Sequence, residues 1–256
     1  EASDITSTEA RGKNNKYDLS YWNPTINLAR DPRWGRNEES YGEDPYLTSE
    51  IGAKSVEGMQ GEDAKYLKTI ATLKHFAANN CEGERQTGTS VMTEKTFREY
   101  YTRTFKDIVE SSNPASVMSS YNALTISRNG EVFSDYIASS ANKYLLTDLL
   151  RRTWGFSGYV VGDCGAWENL FGRQSMRQKL FPDWNLDDIT APMAVSKAFN
   201  AGNNLDCGSR AQGSTFESVE QGWMSEETLD VAVYSLFLAR MKTGEFDSNV
   251  EYQKIK

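Results

Sequence analysis

Histidine occurs once in this chain of 256 residues, cysteine three times and proline six times. Each scarcity removes a class of chemistry. One histidine, His75, with no cysteine cluster beside it cannot build a typical zinc site, which needs several His, Cys or carboxylate ligands. A Ser-His-Asp triad would have to use His75, and no Gly-x-Ser-x-Gly turn is present to hold the serine. Cysteines 81, 164 and 207 form no Cys-x-x-Cys pair, so they indicate neither a zinc cluster nor a disulfide framework. No metal and no cofactor is expected. No apolar run approaches the roughly 18 residues of a membrane-spanning helix. Positive charge is also short. Against 36 Asp and Glu stand 28 Lys and Arg, a net charge of −8, and no basic cluster offsets it, so neither nucleic acid nor a membrane is expected as a partner. Gly88, Thr89 and Ser90 form a turn where a phosphate could sit, but no Gly-rich phosphate loop or dinucleotide fingerprint is present. The chain opens Glu-Ala-Ser-Asp, with no initiator methionine and no signal peptide. It reads as a processed or excised piece.

What is abundant is aromatic and acidic: 6 Trp, 13 Tyr and 11 Phe accompany the carboxylates. That balance suits carbohydrates, whose rings stack on aromatics and whose hydroxyls pair with carboxylates. Short β-favouring runs alternate with helical patterns, the signature of an α/β protein with parallel strands. Runs at 20–28, 70–76, 115–121, 158–163 and 198–206 read as strands. After Thr93, apolar residues Phe97, Tyr100, Tyr101, Phe105, Ile108 and Val109 recur at helical spacing. Residues 141–153 form a second helix, stopped by Gly155. A last helix starts at Ser225, whose hydroxyl can cap a first turn carrying Glu226 and Glu227. It turns Leu229, Val233, Leu236, Phe237 and Met241 inward and ends at Gly244. Segment 168–192 is the least regular and reads as a long loop beside Asp163. No repeat or low-complexity linker interrupts the chain, so residues 1–256 read as one domain.

Three places carry chemistry. In Gly-Tyr-Val-Val-Gly-Asp-Cys at 158–164, a buried-strand pattern ends in a glycine and a lone carboxylate, Asp163. A rigid sheet fixes an acid at such a strand end, although the same residue could simply cap the next helix. Lys74 and His75 close the strand Ile-Ala-Thr-Leu-Lys-His-Phe. Two such neighbours suit a ligand rich in hydroxyls, the alternative being a satisfied histidine inside the core. The stretch 30–45 packs three arginines and five acids around Pro32, Trp34 and Gly35. It reads either as a solvated loop or as a partly buried salt-bridge loop that aims one arginine at a ligand.

Arg-Asp-Pro-Arg-Trp-Gly-Arg at 30–36, Tyr-Gly-Glu-Asp-Pro at 41–45, Lys-His-Phe at 74–76, Val-Met-Ser-Ser-Tyr-Asn at 117–122 and Gly-Tyr-Val-Val-Gly-Asp at 158–163 occur in order. As a set they closely resemble the N-terminal (β/α)8-barrel domain of glycoside hydrolase family 3, over roughly residues 6–245. The resemblance implies a TIM-type α/β barrel and a retaining β-glycosidase acting on oligosaccharides. Asp163 aligns with the nucleophile that forms a covalent glycosyl-enzyme. Arg36, Lys74 and His75 match positions that hold sugar hydroxyls. Tyr121 matches a tyrosine whose hydroxyl lies against the nucleophile, and Met118 would line the floor of the sugar pocket. Cysteine after the nucleophile, Leu-Asp-Cys-Gly at 205–208 and Glu82 eight residues past Lys74 resemble the β-xylosidase/α-arabinofuranosidase branch. A β-glucosidase of the same family and a non-catalytic carbohydrate-binding barrel are the alternatives.

Five strands are too few for an eight-stranded barrel. The resemblance implies a first barrel segment before residue 1, carrying a further acidic sugar ligand, and an α/β sandwich domain after residue 256 that supplies the general acid/base. The isolated chain is therefore expected to be a poor catalyst. The parent protein is expected outside the cell or in the periplasm. Cys164 and Cys207 each follow a strand-end acid, Asp163 and Asp206, and are expected within disulfide range. They would bond if the protein is exported and otherwise remain buried thiols. Cys81 is expected to stay free.

Overall fold

The computed structural model describes residues 1–248 and 250–255. Helix α1 (Ala2–Asn14) leads into a short strand β1 (Ser20–Tyr21), and α2 (Pro45–Gln60) follows the arginine-rich loop. Strand β2 (Ile70–Phe76) comes next, then β3 (Thr89–Thr93). Helix α3 (Glu94–Thr96) continues through a π-helical turn, Phe97–Tyr101, into α4 (Arg103–Ser112). Strand β4 (Ser116–Ser119) precedes β5 (Ala123–Arg128) and β6 (Glu131–Ala138). A π-helical segment, Tyr144–Thr153, leads to β7 (Tyr159–Gly162). Then follow α5 (Glu168–Gly172), α6 (Gln174–Leu180), α7 (Ala191–Ala201), α8 (Arg210–Glu220) and α9 (Glu226–Lys242).

The main sheet runs β1-β2-β4-β7 and all its strands are parallel. A bridge from Val161 to Leu205 carries the pairing one position further. Parallel strands need both faces covered, which is why Thr69–Leu73 and Tyr159–Val161 are continuous buried runs. On one face Leu73, Val117 and Val160 pack with Val56 and Met59 of α2, with Phe105 and Ile108 of α4, and with Leu145 and Leu149. On the other, Ile70, Met118, Tyr159 and Val161 pack against Leu236 and Ala239 of α9. The molecule is thus an α/β fold with a mostly parallel sheet, and among the described residues that sheet is open, with β1 at one edge. A second, small sheet, β3-β5-β6, includes an antiparallel hairpin of β5 and β6. Asn129 and Gly130, at φ 52° and 86°, turn it. Asn-Gly between two β-favouring runs is a strong hairpin signal, and the strand assignments above passed over it.

Four sequence expectations are corrected. The run 20–28 is not one strand. Pairing stops after Tyr21 and resumes at a Thr25–Lys74 bridge, because Pro24 has no N–H to donate. The run 198–206 is mostly helix, since α7 extends to Ala201 and only Leu205 bridges the sheet. Segment 168–192 is not a loop: α5, α6 and a 3-10 turn at Leu186–Asp188 occupy it, seated by buried Leu170, Met176 and Leu180. In α9 the buried positions are Ala232 and Ala239, while Val233, Phe237 and Met241 are exposed. The face this helix turns inward carries Ala232 and Ala239, with Leu229 and Leu236 partly buried beside them. Its start is as expected, with Ser225 accepting from the Thr228 amide at 3.1 Å.

Candidate active site

The residues singled out from sequence converge where the parallel strands run out. Asp163 directly follows β7, Lys74 and His75 lie in the last turn of β2, and Tyr121 follows β4. Loop ends beyond strand C-termini are where open α/β sheets and barrels place ligand chemistry. Gly162 makes the approach to Asp163 possible. A Cβ there would stand 2.4 Å from Nε1 of the buried Trp167, so no larger residue fits this strand end.

Asp163 is 8% exposed. Its Oδ1 accepts from the Cys164 amide at 2.8 Å, while Oδ2 is buried without a partner. Burial pushes its pKa above the ordinary carboxylate value, opposed by the Cys164 N–H and by the Tyr121, Arg36 and Arg85 side chains. Tyr121 lies against Asp163, but its hydroxyl proton goes to the Cys164 carbonyl at 2.5 Å. The tyrosine therefore braces the loop that holds the acid, and its pKa rises to about 12 through burial and the nearby Asp163 charge.

His75 Nε2 lies 3.6 Å from Asp163 Oδ2 and 3.1 Å from Arg36 NH1. Burial first, and then the Arg36 and Lys74 charges, lower its pKa to about 3, so the ring is neutral. Arg36 is gripped by Glu39 at 2.7 and 2.8 Å, which raises the arginine pKa and lowers Glu39 to about 2. Lys74 Nζ sits 3.8 Å from Glu39, and burial lowers its pKa although Glu39 opposes the shift. Glu82 closes the network, 3.7 Å from Arg36 and 3.1 Å from Arg85. Two arginines and a lysine beside two glutamates and one orphaned carboxylate form a dense set of directional partners for hydroxyl groups.

The 30–45 loop is folded around one buried anchor, although much of it stays exposed. Asp31 accepts from the Arg33 amide at 2.9 Å, Trp34 is buried, and two 3-10 turns, Pro32–Trp34 and Asn37–Glu39, follow. Of its three arginines only Arg36 points into the cluster. Arg33 is at the surface and Arg30 bonds the Tyr101 hydroxyl. The Gly88-Thr89-Ser90 stretch runs into β3 and contributes nothing to the site.

One expected residue is displaced. Met118 is fully buried against Ile70, Tyr159, Val161 and Ala239, beneath the site rather than lining open space. Period-2 alternation puts it on the inner face of β4, but one position short of the strand end. Three participants were not singled out: Glu39, which holds both Arg36 and Lys74; Arg85, whose guanidinium lies 4.8 Å over the Tyr121 ring; and Asn27, bonded to His75. Asn27 had a sequence signal, a polar residue inside the apolar run Ile26-Asn27-Leu28. Cys164 and Cys207 form a disulfide with Cα atoms 4.3 Å apart, and Cys81 is free and exposed. The Cys207 carbonyl also accepts from the Gly165 amide at 2.8 Å. No group of His, Cys, Asp and Glu among the described residues is arranged to hold a metal ion.

The model of the glycosyl hydrolase family 3 N-terminal domain matches residues 5–236. A xylan 1,4-β-xylosidase of Xylanibacter ruminicola is 37% identical over 270 residues, covering 98% of this chain and 29% of the relative. A β-xylosidase/α-L-arabinofuranosidase of Medicago sativa is 35% identical, over 97% of this chain and 31% of the relative. Among solved structures, a family 3 exo-β-xylosidase bound to a xylobiose aziridine probe superposes with a TM-score of 0.85 at 32% identity, over 99% of this chain and 32% of that one. A β-glucosidase from Thermotoga neapolitana gives 0.74 at 28% identity, over 99% and 32%. The chain spans about a third of the length of these relatives. Both the breadth of the match and the order of its motifs place this chain in glycosyl hydrolase family 3, as part of its N-terminal domain.

Proposed function

We propose that this chain is the nucleophile-bearing part of a retaining β-glycosidase that removes terminal β-linked sugars, xylose above all, from oligosaccharides. The observation that carries the reading is the unpartnered Oδ2 of Asp163 facing His75 across 3.6 Å inside a ring of Arg36, Lys74, Arg85 and Glu82. Asp163 attacks the anomeric carbon while Arg36, Lys74, His75 and Glu82 hold the hydroxyls, and Tyr121 keeps the nucleophile loop in place. The names of the relatives favour xylose. The disulfide that follows the nucleophile, together with the extra carboxylate of Glu82, also suits a pentose, which has no C6 hydroxymethyl group to accommodate. The parallel strands are read as consecutive staves of a (β/α)8 barrel, and residues 1–256 as one part of that domain.

A retaining enzyme needs a second carboxyl group about 5–5.5 Å from the first to protonate the leaving group. Glu39 cannot serve, because Arg36 holds it ionised with a pKa of about 2, and Glu82 is paired with Arg85 and Arg36. The general acid/base is therefore assigned to the part of the relatives' length that this chain does not span, together with the remaining barrel segment. A disulfide at the site fits a protein working outside the cell or in the periplasm. The test is leaving-group dependence. A 2,4-dinitrophenyl β-xyloside needs no proton donor, so the chain should release one burst equivalent of dinitrophenolate while leaving xylobiose intact. No burst, or equal rates on the two substrates, would overturn the reading.

A further inference from the structure

Asn27 has no part in the mechanism above, although its amide is committed wholly to His75. Its Oδ1 accepts from the His75 backbone N–H at 2.8 Å and lies 3.0 Å from the ring Nδ1, and its Nδ2 donates to the His75 carbonyl at 3.2 Å. The amide cannot be reversed, since an NH2 group would then face a backbone N–H, donor against donor. Oδ1 accordingly faces the ring, and Nδ1 must carry a proton to bond to it. At the opposite ring nitrogen, Arg36 NH1 lies 3.1 Å from Nε2. A guanidinium only donates, so Nε2 must accept. Two independent partners select the same neutral tautomer. The charges facing the ring are Arg36, Lys74 and Arg85, which oppose its protonation, and Glu39 and Asp163, which favour it. Asn27 itself is buried and follows β1 on an irregular segment that pairs with β2 through Thr25 and Ile26.

We propose that Asn27 is a positioning residue that locks His75 as its Nδ1–H tautomer, so that Nε2 stays the acceptor that holds Arg36 in place and no ring N–H is turned toward Asp163. The clamp stands on geometry alone, and only its consequence for covalent chemistry rests on the glycosidase reading. Without the clamp the ring can carry its proton on Nε2, where it would meet Arg36 donor to donor or bond to Asp163 Oδ2. Either outcome spoils the site: the first displaces Arg36, and the second ties up the electron pair that must attack the anomeric carbon.

The single histidine of the chain makes the test direct, because histidine-selective 15N labelling gives one imidazole. A preparation without a histidine tag should show a protonated Nδ1 and an acceptor Nε2, with no titration near the ordinary value of about 6.5. Asn27→Ala should mix the tautomers and slow covalent labelling by a 2-deoxy-2-fluoro-β-xyloside by about 10- to 100-fold, the scale of a misplaced site group. Asn27→Asp keeps an acceptor for both N–H groups. It should retain the Nδ1–H tautomer, recover much of the labelling rate at neutral pH, and lose it on acidification earlier than wild type as the ring gains a proton. A wild-type ring protonated on Nε2, an unchanged spectrum in Asn27→Ala, or undiminished labelling despite mixed tautomers would each overturn the proposal. Failure of the glycosidase reading looks different: no variant would label, while the spectra still followed the expected pattern.

Discussion

Asp163 and His75 make opposite contributions to stability as pH changes. Burial raises the Asp163 pKa, so the folded protein prefers its neutral form, and that preference is fully present only below the unfolded value and fades as pH rises through the folded one. Asp163→Asn should therefore abolish covalent chemistry and at the same time raise thermal stability at neutral pH by about 1 kcal/mol, the usual size of an active-site trade-off. Thermal melts at neutral and low pH check this, since the gain should vanish in acid. The His75 pKa is lowered to about 3, so its contribution is intact above the unfolded value of about 6.5 and is lost as pH falls toward 3. If Asp163 is the nucleophile as proposed, it must be ionised to react, and the acid limb of the rate profile should lie above the ordinary carboxylate value. Lys74→Ala and His75→Ala should each cost about 2–4 kcal/mol of transition-state stabilisation, the scale for a charge-assisted hydrogen bond in a dry site. Comparison of kcat/KM with melting temperature decides whether those losses are kinetic or structural.

At the scale of elements, the motif strands were legible because burial on both faces leaves an unbroken apolar run, as in Tyr159–Val161. Asp163, Lys74 and His75, which the structure gathers into one cluster, could be singled out because they are attached to those strands, and Arg36 because its loop motif matches the family. What escaped was set by contacts distant in sequence. Nothing local to 198–206 reveals that α7 continues to Ala201, and nothing local to Asn27 reveals that His75 is its partner. The inner face of α9 differs from its apolar pattern because large apolar residues lie on both sides of that helix, and Ala232, Ala239, Leu229 and Leu236 are the ones turned inward. This gives an inverted pair of expectations. Phe237→Ala, 43% exposed and stacked only with Arg240 and Phe246, should cost under about 1 kcal/mol. Ala239→Leu, an addition to a packed face, should cost about 1–3 kcal/mol. Urea unfolding of the two variants measures the order, and the reverse order would mean that α9 packs the other way round.

At the scale of the whole molecule, the disulfide links the end of β7 to the chain just after the Leu205 bridge, closing a loop of 43 residues. Cys207→Ser should lower unfolding free energy by about 2–4 kcal/mol, and reductant should reproduce the loss in wild type but not in the variant. The central claim, however, is chemical: one carboxylate at the end of β7 attacks a sugar. The most direct measurement is to incubate the chain with 2,4-dinitrophenyl 2-deoxy-2-fluoro-β-xyloside, digest it and map the modified peptide by mass spectrometry. The account predicts a single fluoroxylosyl ester on Asp163, absent from Asp163→Asn and slower to form with the glucosyl reagent. An adduct on any other residue, or one that survives Asp163→Asn, would contradict it.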